Sequence, residues 1–194
     1  GKNYKLCIRA VDNTGNASSW SSAYYFKVDT VAPTTTVPTA TSTTNSITVT
    51  NKQTDALSGI ASVQYGISTN KSTYTWQNSN VFSNLSSGTT YYVKTRAKDN
   101  AGNGYTESAV ATSITQSLGT CSISVTNDGK WTTSKTATIT KSGNGTLQYK
   151  VGNGAWTNYS NALTINWNAT ATNPVSVSCR VTDGVNVNSG NTVS

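Results

Sequence analysis

Residues 4–16 read Tyr4-Lys-Leu-Cys-Ile-Arg-Ala-Val-Asp-Asn-Thr-Gly-Asn16, and residues 91–103 read Tyr91-Tyr-Val-Lys-Thr-Arg-Ala-Lys-Asp-Asn-Ala-Gly-Asn103. The two stretches are 87 positions apart, measured from Asp12 to Asp99. Similarity at this period indicates that the chain repeats a unit with the length of one small β-domain. Apolar residues occupy alternate positions from Tyr4 to Ala10, which is typical of a half-buried strand. Each strand should end in a turn, because the Asp-Asn-x-Gly-Asn sequence suits turns and its glycine tolerates positive φ.

A third and less faithful copy follows further along the chain. Residues 147–151 match residues 63–67, and residues 175–183 match residues 91–99, both with an offset of 84. Two motifs that share one offset favour a repeat over chance similarity. Val175 replaces the tyrosine found at Tyr91, and a tyrosine there can form the corner hydrogen bond of a β-sandwich. We expect that bond to be missing from the third copy.

The predicted organisation is a hairpin over residues 1–30 and two β-sandwiches over residues 31–116 and 117–194. Short strands separated by turn signals, without helical periodicity, predict this all-β architecture. The linker between the first two segments ends at Pro33, which should stiffen it. The predicted strands of the first two segments are 4–11, 24–28, 34–41, 46–50, 61–68, one or two within 74–85, 89–98 and 105–115.

The first copy of the motif lies at the very start of the sequence, so we expect this chain to be a segment of a longer array. A lone hairpin is marginally stable in water and has open edges. Residues 1–30 should therefore pack against the following domain, against a neighbouring copy by strand addition, or against a separate piece of cleaved chain.

Charge and composition point away from several classes of protein. The 194 residues carry a net charge of +7, but the basic residues are scattered singly and form no cluster typical of nucleic-acid binding. Weak attraction to anionic cell-wall polymers is compatible with this charge. No apolar run is long enough to span a membrane, so neither nucleic acid nor membrane is an expected partner.

The chain resembles tandem bacterial immunoglobulin-like and fibronectin type III-like repeats. The resemblance rests on the strand ending Arg-Ala-x-Asp-Asn-x-Gly-Asn at residues 9–16 and 96–103, and on the joint Val28-Asp-Thr-Val-Ala-Pro-Thr34. It also rests on Tyr149-x-Val-x-x-Gly-x-Ala-Trp156-x-x-Tyr159. The resemblance implies an extracellular setting, on a cell surface or in a secreted protein, because such repeats occur in adhesins, wall proteins, glycosidases and phage tails. The missing corner tyrosine and the turn at residues 183–186 depart from the pattern.

We expect no catalytic site and no cofactor. The chain has no histidine, the commonest general base, and its seven acidic residues lie mostly in predicted turns. No pattern brings two carboxylates into one cleft, as glycoside hydrolysis requires.

Alternation places Cys121 and Cys179 on the inward faces of their strands, towards the same core. They are candidates for a disulfide, which would close a span of 58 residues, although two reduced and buried thiols are the alternative. The usual bridge of such sandwiches joins different strands. Cys7 has no evident partner.

Some relatives of these repeats bind Ca²⁺ where this turn meets the linker, and by resemblance the ligands here would be Asp12 and Asp29 in the first unit and Asp99 in the second. Calcium needs six or more oxygens, and each turn has one aspartate. Hydrogen bonds within the turns are therefore the favoured interpretation, and no metal is expected.

Tryptophan rings near loops are candidate glycan contacts, and Trp156 with Tyr159 is the best pair. Such rings also serve as core at the end of a sandwich. The other tryptophans near loops are Trp20, Trp76, Trp131 and Trp167.

The leading hypothesis is a non-catalytic structural spacer or stalk, whose partners are neighbouring repeats of the same parent chain. The alternatives are a module of an adhesin or glycosidase that binds glycans or host proteins, with cell-wall or host glycans as partners, and a phage tail decoration domain.

Overall fold

A computed structural model describes residues 1–125, 134–160, 163–166 and 175–194. Within these ranges the regular structure consists of strands, and no helix is present. The expectation of an all-β chain is confirmed at this level, because the strands form several sheets with antiparallel pairing. Trp131, Trp167 and Asp128 lie outside the described residues.

The chain divides into two compact units. The first comprises Gly1–Thr39, Val49–Asn80 and Val93–Ala111, and the second comprises Ala40–Thr48, Val81–Tyr92 and Thr112–Ser194. Both units draw on residues 31–116, so they do not follow the predicted segment boundaries. Those boundaries stay a prediction.

The first segment is a two-stranded antiparallel hairpin of β1 (Lys2–Leu6) and β2 (Tyr24–Val28). The second strand has the predicted bounds. The first strand was predicted over residues 4–11, but β1 begins at Lys2 and ends at Leu6. Beyond β1 the two segments stay paired through both backbone and side chains. The Ser21 and Ser18 amides donate to the carbonyls of Ile8 and Ala10, whose own amides donate to Ser21 Oγ and Ser18 Oγ. Serine hydroxyls here replace part of the backbone ladder.

Residues 31–116 form ten short strands in three sheets. The sheet orders are β3-β6, β4-β5-β9 and β11-β10-β7-β8, with β12 also paired with β10. The strands are β3 (Thr34–Thr35), β4 (Thr39–Ser42), β5 (Ile47–Thr50), β6 (Gln53–Thr54), β7 (Ile60–Ser68), β8 (Thr75–Gln77), β9 (Val81–Phe82), β10 (Thr90–Asp99), β11 (Thr106–Glu107) and β12 (Ala111–Ile114).

Two predicted strands are interrupted. The prediction over 34–41 was one strand, but β3 and β4 are separated by a stretch containing Pro38, which cannot donate to a sheet ladder. The strand predicted over 105–115 is divided into β11 and β12. The range 74–85, where one or two strands were predicted, contains two, β8 and β9. The Tyr91 corner forms as the sequence indicated, because the Ser86 amide donates to the Tyr91 hydroxyl oxygen over 3.1 Å.

The described part of residues 117–194 forms two sheets, β13-β14-β17 and β16-β15-β18-β19. Seven side chains from β13, β14 and β18 form one buried apolar cluster: Cys121, Ile123, Ala137, Ile139, Val177, Cys179 and Val181. Alternate residues of each strand face inward, as the period of two predicts. The strands are β13 (Thr120–Val125), β14 (Ser134–Ser142), β15 (Thr146–Val151), β16 (Thr157–Asn158), β17 (Leu163–Asn166), β18 (Val177–Thr182) and β19 (Val187–Val193).

Candidate functional site

Three carboxylates meet in the first compact unit. Asp29 follows β2, Asp55 follows β6, and Asp99 ends β10. Carboxylate oxygens of the three lie within 4.8 Å of one another. The Asp99 side chain is fully buried, and the other two are half-buried. Of the described acidic residues, these three form the group that is close enough to share a cation.

Backbone amides hold the Asp55 carboxylate in place. Its Oδ1 accepts hydrogen bonds from the amides of Leu57, Ser58 and Gly59, at 3.1, 2.8 and 2.8 Å. The loop can close around the carboxylate because Gly59 takes a positive φ of 75°. Asp55 therefore shapes its own loop.

Asp29 connects the linker to the same loop. Its Oδ1 accepts from the Val31 amide at 3.0 Å, and its Oδ2 accepts from the Ser58 amide at 3.2 Å. The pKa of Asp29 lies below its ordinary value, first because of the Ser58 side chain and then because of the Val31 amide, while desolvation acts against the shift. Donors that favour the ionised form keep Asp29 negative.

Asn103 ties the turn after β10 to the linker. Its backbone amide donates to Asp99 Oδ1 at 2.8 Å, and its side-chain Nδ2 donates to Asp99 Oδ2 at 2.6 Å. The same Nδ2 reaches the carbonyl oxygens of Asp29 and Val31, at 3.3 and 3.4 Å. Pro33, two residues after Val31, is fully buried. The linker is therefore held both by the hydrogen bonds of Asn103 and by the burial of its own proline.

The calcium ligands implied by the resemblance are not grouped as expected. Asp12 does not join Asp29; Asp29 lies instead with Asp99, which was expected in the second unit, and with Asp55. The Asp12 carboxylate bonds its own turn, where Oδ1 accepts from the amides of Thr14 and Asn16, both at 2.9 Å. The pKa of Asp12 is lowered, first by the Thr14 hydroxyl and then by the Asn16 side chain. This is the turn interpretation favoured from the sequence.

The three clustered carboxylates are the groups that would bind a cation in this unit. Calcium takes six to eight oxygens, so carbonyl or water oxygens would have to complete the shell. The sequence did not indicate Asp55 as a candidate ligand, because Asp55 lies outside the repeated motif. The signal that could have found it is Asp55-Ala-Leu-Ser-Gly59, an aspartate four residues before a glycine.

A second asparagine works in the same way in the other compact unit. Asn186 Nδ2 donates to Asp183 Oδ2 at 3.2 Å and to the Leu85 carbonyl at 2.9 Å. In return, Asn45 Nδ2 donates to the Asp183 carbonyl at 3.4 Å. The pKa of Asp183 is lowered to about 2: desolvation opposes this, but hydrogen bonds from the Asn186 amide and the Thr44 side chain outweigh it. Both predicted junctions are thus joined by an Asp–Asn pair.

The candidate glycan contacts take part in packing. The guanidinium of Arg180 lies 4.3 Å from the centre of the Trp156 ring, and the ammonium of Lys150 lies 5.2 Å from it. Tyr159 packs edge-on against Tyr149, with ring centres 6.1 Å apart, beside the apolar cluster. A sugar would have to share the Trp156 ring with these cations, so glycan contact stays a prediction without support from this geometry.

Arginines repeat this stacking in the other two segments. Arg96 lies 4.2 Å from the Trp76 ring and 4.5 Å from the Tyr105 ring. Arg9 lies 4.9 Å from the Trp20 ring. Tryptophans that were predicted as loop residues are therefore partners of the arginine in the repeated motif.

Cys121 and Cys179 are bonded as a disulfide between β13 and β18, with their Cα atoms 6.3 Å apart. Cys7 is a free, half-buried thiol. Gly190 of β19 lies against the bridge, because a Cβ placed there would be 2.6 Å from Cys121 Sγ. The bridge is thus packed in the core, beside a strand that can approach it only through glycine.

One shallow cavity, of about 220 Å³, is lined by threonines, serines, Lys141 and the bridged Cys121. Another, of about 260 Å³, is lined by threonines and Lys52. Neither cavity brings together an acid and a base.

No described helix has the length and apolar character needed to cross a membrane. No protein-family model matches this sequence, and no curated protein matches it.

Proposed function

We propose that this chain is a non-catalytic structural spacer, built of immunoglobulin-like or fibronectin type III-like β-sandwich repeats in a bacterial cell-surface or secreted protein. The observation that carries the proposal is the pair of junction asparagines. Asn103 donates to the carbonyls of Asp29 and Val31, and Asn186 donates to the carbonyl of Leu85. A spacer has to resist bending where its repeats meet, and these bonds act at the two predicted junctions.

The nature of the junction contacts suits a permanent mechanical role. They join side-chain amides to backbone carbonyls, which do not titrate near neutral pH and carry no charge for salt to screen. The buried Pro33 fixes φ in the first linker. These amide–carbonyl contacts should therefore depend little on salt or on pH near neutrality.

The disulfide supports an exported setting. Bridges such as Cys121–Cys179 persist in oxidising compartments and are rare in a reducing cytosol. The bacterial surface or secreted location itself comes from the family resemblance. Alkylation of the isolated protein after unfolding without a reductant, followed by mass measurement, should label Cys7 and leave the other two cysteines unlabelled.

The proposal is tested by measuring flexibility across a junction. Spin labels at Thr90→Cys and Asn153→Cys, in a Cys7→Ser background, lie on either side of the second junction at exposed positions of one compact unit. Pulsed dipolar spectroscopy should give a narrow distance distribution, and Asn186→Ala should broaden it. The matched control is Asn158→Ala, because the Asn158 side chain bonds Gln148 within residues 117–194.

Two results would overturn the spacer function. One is a broad distance distribution in the unsubstituted junction. The other is strong binding on a glycan array that is lost with Trp156→Ala, which would favour the glycan-binding module instead.

A further inference from the structure

The hairpin has a well-ordered apolar face that the described chain leaves exposed. We call it the hairpin face and define it by five residues: Tyr4, Leu6, Tyr24, Phe26 and Val28. Tyr4 pairs with Phe26 and Leu6 pairs with Tyr24, and directly opposed residues project to the same side of an antiparallel pair. The Tyr4 and Phe26 rings stack at 5.5 Å. Exposed fractions across the face run from 37% at Val28 to 68% at Tyr24.

Equivalent positions in the other two copies of the motif are buried. The offset of 87 carries the inward alternation of the first strand, residues 4, 6, 8 and 10, onto Tyr91, Val93, Thr95 and Ala97. Those four are at most 8% exposed, whereas Leu6 and Ile8 are 53% and 66% exposed. In residues 117–194 the matching Val177, Cys179 and Val181 are at most 1% exposed. The same pattern of side chains is therefore covered twice and open once.

Residues 117–194 show which kind of element covers this face. Val177 and Cys179 of β18 pack with Ile123 of β13 and Ile139 of β14, in one cluster. The cover is a second sheet with small and branched apolar side chains at alternate positions. In residues 31–116, β5 carries a comparable inward pair, Ile47 and Val49, both 0% exposed.

The partners of the motif arginine are a second difference between the hairpin and the other two copies. Arg96 bonds the Gln64 oxygen through Nε and Nη2, at 2.9 and 2.6 Å, and stacks on Trp76. Arg180 likewise bonds Gln148 over 2.8 Å and stacks on Trp156.

In both cases the glutamine and the tryptophan precede the motif in the chain. Among the described residues, Arg9 stacks on the Trp20 ring, which follows the motif, and no glutamine hydrogen-bonds to Arg9. The hairpin thus has the partner that follows the motif and lacks the partners that precede it.

We infer that the hairpin face is a docking site for a β-strand layer of the same repeat type. The occupant presents alternating branched apolar residues to the hairpin face, and a glutamine and a tryptophan to Arg9. Residues 31–87 have this composition and order. The inference rests on the proposed repeat architecture and adds the kind of strand layer that covers the hairpin face.

The test places a second copy of residues 31–87 directly before Gly1 of the full chain. The spacing is preserved, because Gly88 precedes Tyr91 by the same three positions that separate Gly1 from Tyr4. Hydrogen exchange by mass spectrometry should show amides of residues 2–11 and 22–28 exchanging at least tenfold more slowly than in the original chain. The strand of the inserted copy that corresponds to β7 should be protected as well.

The control is the same extended chain with Leu6→Asp, which places a charge on the hairpin face. It should lose the gain in protection over residues 2–28 and keep native protection over residues 31–194. The inference is overturned if the extended chain shows no gain, or if the Leu6→Asp control keeps it. It is also overturned if the original chain already protects this face in a concentration-dependent dimer through contact between two hairpin faces, since the occupant would then be a second hairpin and not a strand layer of this kind.

The original chain separates failure of the inference from failure of the proposed architecture. If residues 31–116 exchange rapidly in the original chain, the repeat architecture fails and the inference fails with it. If those residues are protected and only the hairpin shows no gain in the extended chain, the inference alone fails.

Discussion

At the scale of single residues, Asn103 shows how one side chain joins two segments. Its Nδ2 has two hydrogens, and three oxygens lie within reach: Asp99 Oδ2 and the carbonyls of Asp29 and Val31. Asn16 has the equivalent place in the first copy, but its Nδ2 donates only within its own turn, to Asp12 and Thr14. The two asparagines therefore differ in that Asn103 also donates hydrogen bonds to residues outside its own turn.

We predict that Asn103→Ala lowers the free energy of unfolding by about 1–2 kcal/mol, because half-buried acceptors lose their donor. Asn16→Ala is the matched control and should cost less, since its partners are exposed. Urea unfolding followed by tryptophan fluorescence measures both. Equal effects of the two substitutions would contradict a role of Asn103 in the junction.

Gly190 is a second residue whose identity depends on its surroundings. An added Cβ would collide with the Cys121 carbonyl and would lie 2.5 Å from Cys179 Sγ. We predict that Gly190→Ala lowers the free energy of unfolding by about 1–3 kcal/mol through overpacking. Thermal unfolding should show the loss, while Gly102→Ala is a poor control because Gly102 has a positive φ. Gly104→Ala is suitable, because Gly104 has open space and no positive φ, and its effect should be small.

At the scale of elements, each copy of the motif strand carries an arginine on its outward face. In β10 the Arg96 guanidinium lies close to two aromatic rings and bonds Gln64 of β7 through two nitrogens. This arrangement links neighbouring strands through side chains as well as through the ladder. Lysine lacks the planar fork that such a site requires.

We predict that Arg96→Lys lowers the free energy of unfolding by about 1–2 kcal/mol, because stacking and the paired bonds to Gln64 are lost together. Arg9→Lys is the matched control, since Arg9 has one ring partner and should cost less. Chemical unfolding monitored near 295 nm reports on the tryptophans. A smaller loss for Arg96→Lys than for Arg9→Lys would contradict this account of the element.

The disulfide acts between two elements, β13 and β18, across 58 residues of sequence. In the chain-entropy model a loop of this length contributes about 4 kcal/mol. We predict that the double substitution Cys121→Ser and Cys179→Ser lowers the unfolding temperature of residues 117–194 far more than Cys7→Ser does. Calorimetry measures both, and an unchanged transition in the double variant would contradict a stabilising bridge.

At the scale of the whole molecule, the pKa is lowered at three aspartates in separate parts of the chain. Asp12, Asp29 and Asp183 all have lowered pKa values, and for Asp183 the value is about 2 against an ordinary 3.8. Their hydrogen bonds favour the ionised form in the folded chain. The stabilisation is fully present above the unfolded pKa and is lost as the pH falls through the folded value.

We therefore predict that stability declines as the pH is lowered from about 4 towards about 2, the interval between the ordinary and folded values of Asp183. Asp183→Asn should flatten part of this decline. Unfolding temperatures measured at closely spaced pH values provide the check. Stability that rises over this interval would contradict the assigned pKa directions.

The hairpin shows where local and long-range information differ in this protein. Its strand pattern predicted β2 to the residue, and alternation placed Tyr4 and Leu6 of the hairpin face on one side of the first strand. The expectation that residues 1–30 pack against something is not met at that face by the described chain, which leaves Tyr24 and Leu6 exposed. Alternation states which face is apolar and does not state what covers it.

Strand periodicity, the motif of residues 4–16 and 91–103, and the turn signals were enough to determine an all-β chain, because each is a property of consecutive residues. The tertiary structure alone decided that Asp55 joins Asp29 and Asp99, that Arg96 is paired with Trp76 and Gln64, and that Gly190 must pass the bridge. These contacts join residues that are tens of positions apart. They depend on how loops and sheets meet in space, which a pattern of neighbouring residues does not encode.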